Sequence, residues 1–269
     1  MSKILNCTSV ETIYKSLENI LGGNVVGFVG DNNYRIKPPI NGFVQFERPT
    51  IEYIKDYFRI SNFAYDEVVI HHATSLINKS SFLEQGIYNL KTLAEMPFTY
   101  FKEFLQKNDI EFKLDQDGFP FFEYNCKRVT SNYLEVRYKR DQCINGYLFA
   151  YSIGEDSNIR EIRNCPEIIS HLGSLLGKDI KFQWERQSVP SFISFKVKLD
   201  DIHHSTFDNE NVTKQEKQEF FILKALEFLL IFDAIVYSYP KDHPMVYLKE
   251  NKIITPEDIL SIKKIDDIE

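Results

Sequence analysis

The residues of this chain best suited to chemistry are the adjacent His71 and His72 and the hydroxyls Thr74 and Ser75 just after them. They stand in VVIHHATSLINKSSFLEQGI, Val68 to Ile87, where a short β-branched run gives way to an apolar helical stretch closed by Gly86. A strand ending in the histidine pair, followed by a Thr-Ser helix start, would set one imidazole and two hydroxyls at a strand-to-helix corner. Imidazole exchanges a proton near neutral pH, and hydroxyls both donate and accept hydrogen bonds. Neighbours along a strand point to opposite faces, so only one of the two histidines can meet a given ligand. His72 is the better placed, being nearer Thr74 and Ser75. Its partner belongs to the sheet or the core. The same hydroxyls could equally cap the helix, a role that needs no ligand.

Other constellations are weaker. The remaining histidines, His171, His203, His204 and His243, form no HxxxH pair. Cys7, Cys126, Cys143 and Cys165 are scattered without CxxC spacing, so the chain holds no metal motif and its cysteines read as reduced structural thiols. There is no GxSxG nucleophile turn, and neither GxxxxGKS/T nor GxGxxG for phosphates. Asp200-Asp201 reads as a turn, and Glu216 to Glu219 as a solvated helix start.

These side chains must be positioned by an ordinary globular body. The chain has 269 residues, 43% hydrophobic and 26% charged, enough to bury a substantial core. A net charge of -7 argues against the whole surface being built for nucleic acid or anionic lipid. No signal peptide is read, and Phe220 to Val236, the longest apolar run, is interrupted by Lys224, Glu227 and Asp233. A cytoplasmic protein without membrane partners is expected.

Helical spacing covers Val10 to Leu21, ending at Gly22-Gly23, and Thr50 to Phe58. Asn24 to Phe46 reads as short strands and loops. Asn89 to Lys107 is helical with a break at Pro97. Glu111 to Ile153 has the alternation of antiparallel strands, with turns at Asp115 to Gly118 and at Asn145-Gly146. Cys165-Pro166-Glu167 opens a helix stopped by Gly177. Lys181 to Trp184 and Phe192 to Leu199 alternate like strands, the second with Phe192, Ser194, Lys196 and Lys198 on a wet face. Gln215 to Phe232 is a helix apolar nearly all round, hence deeply buried. Strands are predicted over Ala234 to Tyr239 and Met245 to Lys249, around a turn from Tyr239 to Pro244, and a last element starts at Ile253. The class is α+β, with strands concentrated in the second half.

Taken in order, several segments resemble the ADP-ribosyltransferase fold, in the branch of diphtheria toxin and the poly-ADP-ribose polymerases. His72-Ala73-Thr74-Ser75, followed by Gly86-Ile87, is similar to the family's H-G-T/S strand end and the helix closing in Gly and an aliphatic residue. Ala73 stands where the family has glycine. Gly146-Tyr147 resembles the strand start that supplies a tyrosine, and Lys196-Val197-Lys198-Leu199 the apolar strand before a loop. Met245 to Leu248 and Ile253 to Ile259 resemble the closing strand and its tail.

The resemblance implies a mixed, mostly antiparallel split sheet over residues 61–269, with residues 1–60 as a helical and β extension packed on it. It implies NAD as cofactor substrate and mono-ADP-ribosyl transfer to a protein or nucleic-acid acceptor, an activity of intracellular toxins and defence factors. His72, assisted by Thr74 and Ser75, would hold the ribose, and Tyr147 would stack on nicotinamide. A carboxylate should stabilise the oxocarbenium-like transition state. Where the family places that glutamate this chain has His243 and Pro244, so Glu250 takes the role. Two rival readings use related folds. One is a catalytically inactive interaction or adaptor protein; the other is NAD-dependent RNA 2′-phosphotransfer, which would draw on Arg137, Arg140, Arg160 and Arg163.

Overall fold

A computed structural model describes residues 3–33, 36–40, 43–140, 142–150, 159, 164–207, 209–234 and 244–265. Strand β1 (Ile4–Leu5) is followed by helix α1 (Val10–Leu21), which buries Ile13, Leu17, Ile20 and Leu21 on one face. Ser9 and Thr12 close a reciprocal cap at its start, and Gly22 ends it with φ 70°. Helix α2 (Val25–Asn32), capped by Asn24, replaces the first part of the predicted strands and loops. Val25, Phe28, Val29 and Asn32 are its buried positions, a helical stripe masked in sequence by β-branched valines and two glycines. The hairpin of β2 (Ile36–Ile40) and β3 (Phe43–Phe46) then leads to α3 (Ile51–Phe58), with Thr50 as its cap.

The centre of the molecule is the antiparallel pair of β4 (Glu67–Leu76) and β9 (Val189–Lys198), matched from Glu67 opposite Lys198 to Leu76 opposite Val189. Strand β8 (Asn145–Tyr147) lies on the other side of β4, β10 (Met245–Tyr247) beyond it, and β11 (Ile259–Lys264) outside β9. Among the described strands of this sheet only β1 runs parallel, against the start of β4. The protein is thus α+β with a mostly antiparallel sheet. Helix α10 (Lys214–Ala234) lies on this sheet and buries Phe221, Ile222, Ala225, Leu226, Phe228, Leu229 and Leu230, the all-round burial expected of it. Residues of the first 60, among them Leu5, Leu17 and Phe28, share one core with β4, β9 and α10.

Between β4 and β9 the chain builds a second core. Helices α4 (Lys79–Gln85), α5 (Leu90–Glu95) and α6 (Tyr100–Gln106) precede a three-stranded sheet of β5 (Ile110–Leu114), β6 (Pro120–Tyr124) and β7 (Lys127–Val129). Helix α7 (Asn132–Arg140) comes before β8, and α8 (Glu167–Leu176) and α9 (Ile180–Gln187) follow it. Phe104, Ile110, Phe122, Leu134, Tyr138, Leu172 and Trp184 meet in this core. The break at Pro97, the turn at Asp115 to Gly118 and the helix after Pro166 stand as expected.

Three further expectations fail here, two of them for reasons of period. Lys181 to Trp184 is helical, because Ile180 and Trp184 are buried four apart; four alternating residues fit either pattern. Leu134 and Tyr138 likewise make α7 a helix inside a stretch read as strands. Asn145-Gly146 is not a turn but part of β8. There a Cβ on Gly146 would come within 2.6 Å of Ile70 Cγ2 and 2.8 Å of the His71 carbonyl, so glycine permits strand contact rather than chain reversal. The wet face of β9 is confined to Lys196 and Lys198, since Phe192 and Ser194 are buried. The predicted strand after Ala234 and the turn through His243 lie outside the described residues.

Candidate functional site

Strand β4 does not end at the histidines. It continues through Thr74 and Ser75 to Leu76, and Asn78, not Thr74 or Ser75, caps α4. The hydroxyls are therefore strand residues, and the helix-cap role is excluded for them. Alternation along β4 puts His71 and Ala73 on one face, His72 and Thr74 on the other. His71 is wholly buried, with Nδ1 2.9 Å from Ser194 Oγ, while His72 is half-buried. One histidine is core and one is presented, as the strand period requires.

His72, Thr74 and Ser75 all line a cavity of about 590 Å³. Its wall comes from the end of β4, the segment around α4 and α5, Tyr100 and Phe101 of α6, Arg137 of α7, Trp184 of α9, and Asn145 and Tyr247 of the sheet edge. The volume falls within the range of small-molecule sites, and the cavity lies where the two cores meet. His72 Nδ1 is 2.7 Å from the Asn145 carbonyl. A carbonyl only accepts, so Nδ1 carries the hydrogen. Burial pulls the pKa of His72 below the ordinary histidine value, partly countered by that bond. The ring is then neutral, with Nε2 left as a hydrogen-bond acceptor.

Two expected partners are not brought to this cavity. Tyr147 lies opposite His71 in the ladder and packs with Ala73, Phe192, Ile159 and Ile265, on the sheet face away from His72. Adjacency in the sheet did not become adjacency in the site, because the ladder pairs it with the wrong histidine. Glu250 is exposed in the turn after β10 and does not line the cavity. Among the described residues, no Asp or Glu does. Tyr247 occupies the wall instead, opposite Asn145 in the β8–β10 ladder, its hydroxyl 3.6 Å from Met245 Sδ. Arg137 is engaged by Glu167 and by the ring and hydroxyl of Tyr133. Side chains of Arg140, Arg160 and Arg163 lie outside the described residues. Trp184 and Tyr247 carried no local signal, since the tertiary contacts alone bring them here.

The buried histidine carries a pH signature of its own. Burial first, and positive Lys263 second, hold His71 down at about 3. The unfolded chain binds a proton there near pH 6.5 while the folded chain does not, so the contribution is intact above that pH and is lost on acidification. Going from pH 7 to pH 5 should cost about 2 kcal/mol through this group, at about 1.4 kcal/mol per proton and pH unit. Unfolding free energies from urea titrations at both pH values should differ by that much more in the native chain than in His71→Gln.

Among the described residues no His, Cys, Asp or Glu cluster could hold a metal ion, and no helix is long and apolar enough to cross a membrane. No disulfide joins any of the four cysteines, and burial raises the thiol of Cys7 and lifts that of Cys165 to about 12, which leaves both inert. Compared with protein-family models, curated proteins and solved structures, the chain matches none. Function must therefore come from the chemistry of the site.

Proposed function

We propose that the cavity binds a dinucleotide of the NAD class, with His72 as its ribose anchor, and that the protein is an NAD-binding protein of ADP-ribosyltransferase type. The observation that carries this reading is the fixed, neutral imidazole of His72. Its Nδ1–H is held by Asn145, so its Nε2 offers a lone pair to a ligand hydroxyl, with the Thr74 hydroxyl two residues on along the same face. A ribose diol supplies the donors such a pair requires. Aromatic side chains in the wall, Tyr247, Tyr100 and Phe101 among them, give flat surfaces for the bases. Bound there, NAD would supply a labile glycosidic bond. Transfer of its ADP-ribose needs a carboxylate near the ribose, and Glu250 is not so placed.

Calorimetric titration with NAD tests the proposal, with free nicotinamide assayed in the same samples. Saturable binding is expected, weakened at least tenfold in His72→Ala, about what the loss of one hydrogen bond implies. Tyr147→Phe should bind like the native chain, since Tyr147 is on the other face. Nicotinamide release that depends on His72 would add transfer to binding. Absence of NAD binding would overturn the reading in favour of an interaction protein.

A further inference from the structure

The loop between β9 and α10 is stitched to β10 through the main chain of Tyr247. His203 N–H donates to the Tyr247 carbonyl at 2.8 Å, and Tyr247 N–H donates to Thr206 Oγ1 at 3.0 Å. Both backbone polar groups of Tyr247 are therefore held by the 3-10 turn His204–Thr206 and its cap. On its other side Tyr247 stands opposite Asn145, whose carbonyl accepts from His72 Nδ1. Tyr247 is a wall residue of the cavity, so one short turn ties that wall down from outside.

A three-residue 3-10 turn has little stability of its own, and its cap matters accordingly. Here the cap is a histidine. Nδ1 of His203 accepts from Ser205 N–H at 3.3 Å and lies 2.9 Å from Ser205 Oγ. Capping needs the lone pair of Nδ1, which neutral imidazole has and imidazolium lacks, since both of its nitrogens are donors. Protonation at Nδ1 would set a donor against a donor. Neighbouring charge makes the protonated ring worse placed still. His204 stacks on His203 with ring centroids 3.9 Å apart. Lys249, in the turn after β10, and Lys217 of α10, whose Nζ bonds the Leu199 and Ile202 carbonyls, both act on the ring as positive charges. Among the described residues Glu250 is the acid that opposes them at His203. Asp201 is paired with Lys252, and both Asp200 and Asp201 act on Lys217.

The geometry points to a proton-sensitive clasp: neutral His203 holds the 3-10 turn on Tyr247, and protonation of His203 releases the turn and with it the backbone of a cavity-wall residue. The clasp does not depend on which ligand the cavity takes. Burial is the largest cause that lowers the His203 pKa from 6.5, and His204, Lys217 and Lys249 act in the same direction against Glu250. An opened, solvated turn returns the ring to its ordinary value. Closure is thus complete above pH 6.5 and is lost as the pH falls through the lowered value. Between the two values the one linked proton shifts the opening equilibrium by up to about tenfold per pH unit.

Amide exchange at Tyr247 N–H, measured by NMR on the full chain and divided by the intrinsic rate at each pH, reads the clasp directly. Its protection is expected to fall severalfold from pH 7 to pH 5, along the titration curve of the His203 ring followed in the same samples. His203→Asn keeps a capping acceptor that does not titrate, so protection there should stay level over that range. His203→Ala, with no cap, should be weakly protected at every pH. Protection in His203→Asn that still falls with pH overturns the clasp and moves the effect to another group, such as His72 acting through Asn145. Level protection in the native chain while the His203 ring titrates overturns it as well. Should His203→Asn not fold, a Tyr247 transition in the native chain with a midpoint different from that of the His203 ring overturns it equally.

Discussion

Gly86→Ala is expected to destabilise the protein by about 3 kcal/mol or more, the sum of two independent costs. Gly86 ends α4 at φ 89° and ψ -165°, a region open essentially to glycine alone, where an L-residue is strained by about 1–3 kcal/mol. The second cost is steric. A Cβ at this position would come 2.1 Å from the Ile254 carbonyl oxygen, which is backbone and has no rotamer to change. That carbonyl accepts from the Ile87 N–H at 2.9 Å, and Ile254 donates back to Ile87 at 3.1 Å. Relief of the clash breaks this bridge, and overpacking of that kind costs about 1–3 kcal/mol. Gly177→Ala is the control. Gly177 has φ 61° with nothing within 4 Å of where a Cβ would stand, so alanine there bears only the conformational strain. The urea midpoint of Gly86→Ala should fall well below that of Gly177→Ala; equal midpoints would remove the close approach as the cause. Gly86 and Ile87 also line the cavity, so ligand affinity should fall in the first variant and not in the second.

Phe122→Ala should remove about 3–5 kcal/mol, the range for deleting a buried aromatic ring from a core that collapses only in part. Phe122 is fully buried at the centre of the second core, stacked on Phe112 at 4.6 Å and tilted against Tyr138 at 5.9 Å. Its place in a cluster separate from the main core makes the variant informative twice over. Trp184 belongs to the same core, so its emission follows the unfolding of that part, while far-ultraviolet dichroism follows the whole chain. If the two cores unfold as one, both probes shift to lower urea together and the midpoints coincide. Trp184 unfolding ahead of the dichroism change would instead mark the inserted body as a separate cooperative unit. The cavity draws its wall from both cores, so in the first case ligand binding and stability decline together.

Much of the architecture was readable along the chain wherever a local rule had no competitor. Ile13, Leu17, Ile20 and Leu21 at helical spacing, with Gly22 behind them, could hardly form anything but α1. Pro97 split one helical stretch into α5 and α6 because its ring removes a donor and blocks the preceding turn. The all-round apolar surface of α10 announced its burial. Errors fell where two periods fit the same few residues. Lys181 to Trp184 is four residues long, too short for alternation to exclude a helix, and the valines and glycines of α2 lowered its apparent propensity without removing its buried stripe. Tertiary packing decided both.

The candidate site divides in the same way. The sequence alone determined that His71 and His72 face opposite ways, because side chains on a strand alternate with period two whatever surrounds them. It also singled out His72, Thr74 and Ser75, three residues of one strand whose mutual placement is local. Which side of the sheet Tyr147 would join depended on the pairing of β8 with β4, a contact across 76 positions of chain that set it opposite His71. Trp184 and Tyr247 reach the cavity from still farther along the chain, the first through the closure of a second core against the sheet and the second through the pairing of β10 with β8. Periodicity is a property of the backbone and can be read locally. A cavity exists only where distant surfaces meet, and the tertiary structure alone decides which side chains those surfaces bring to it.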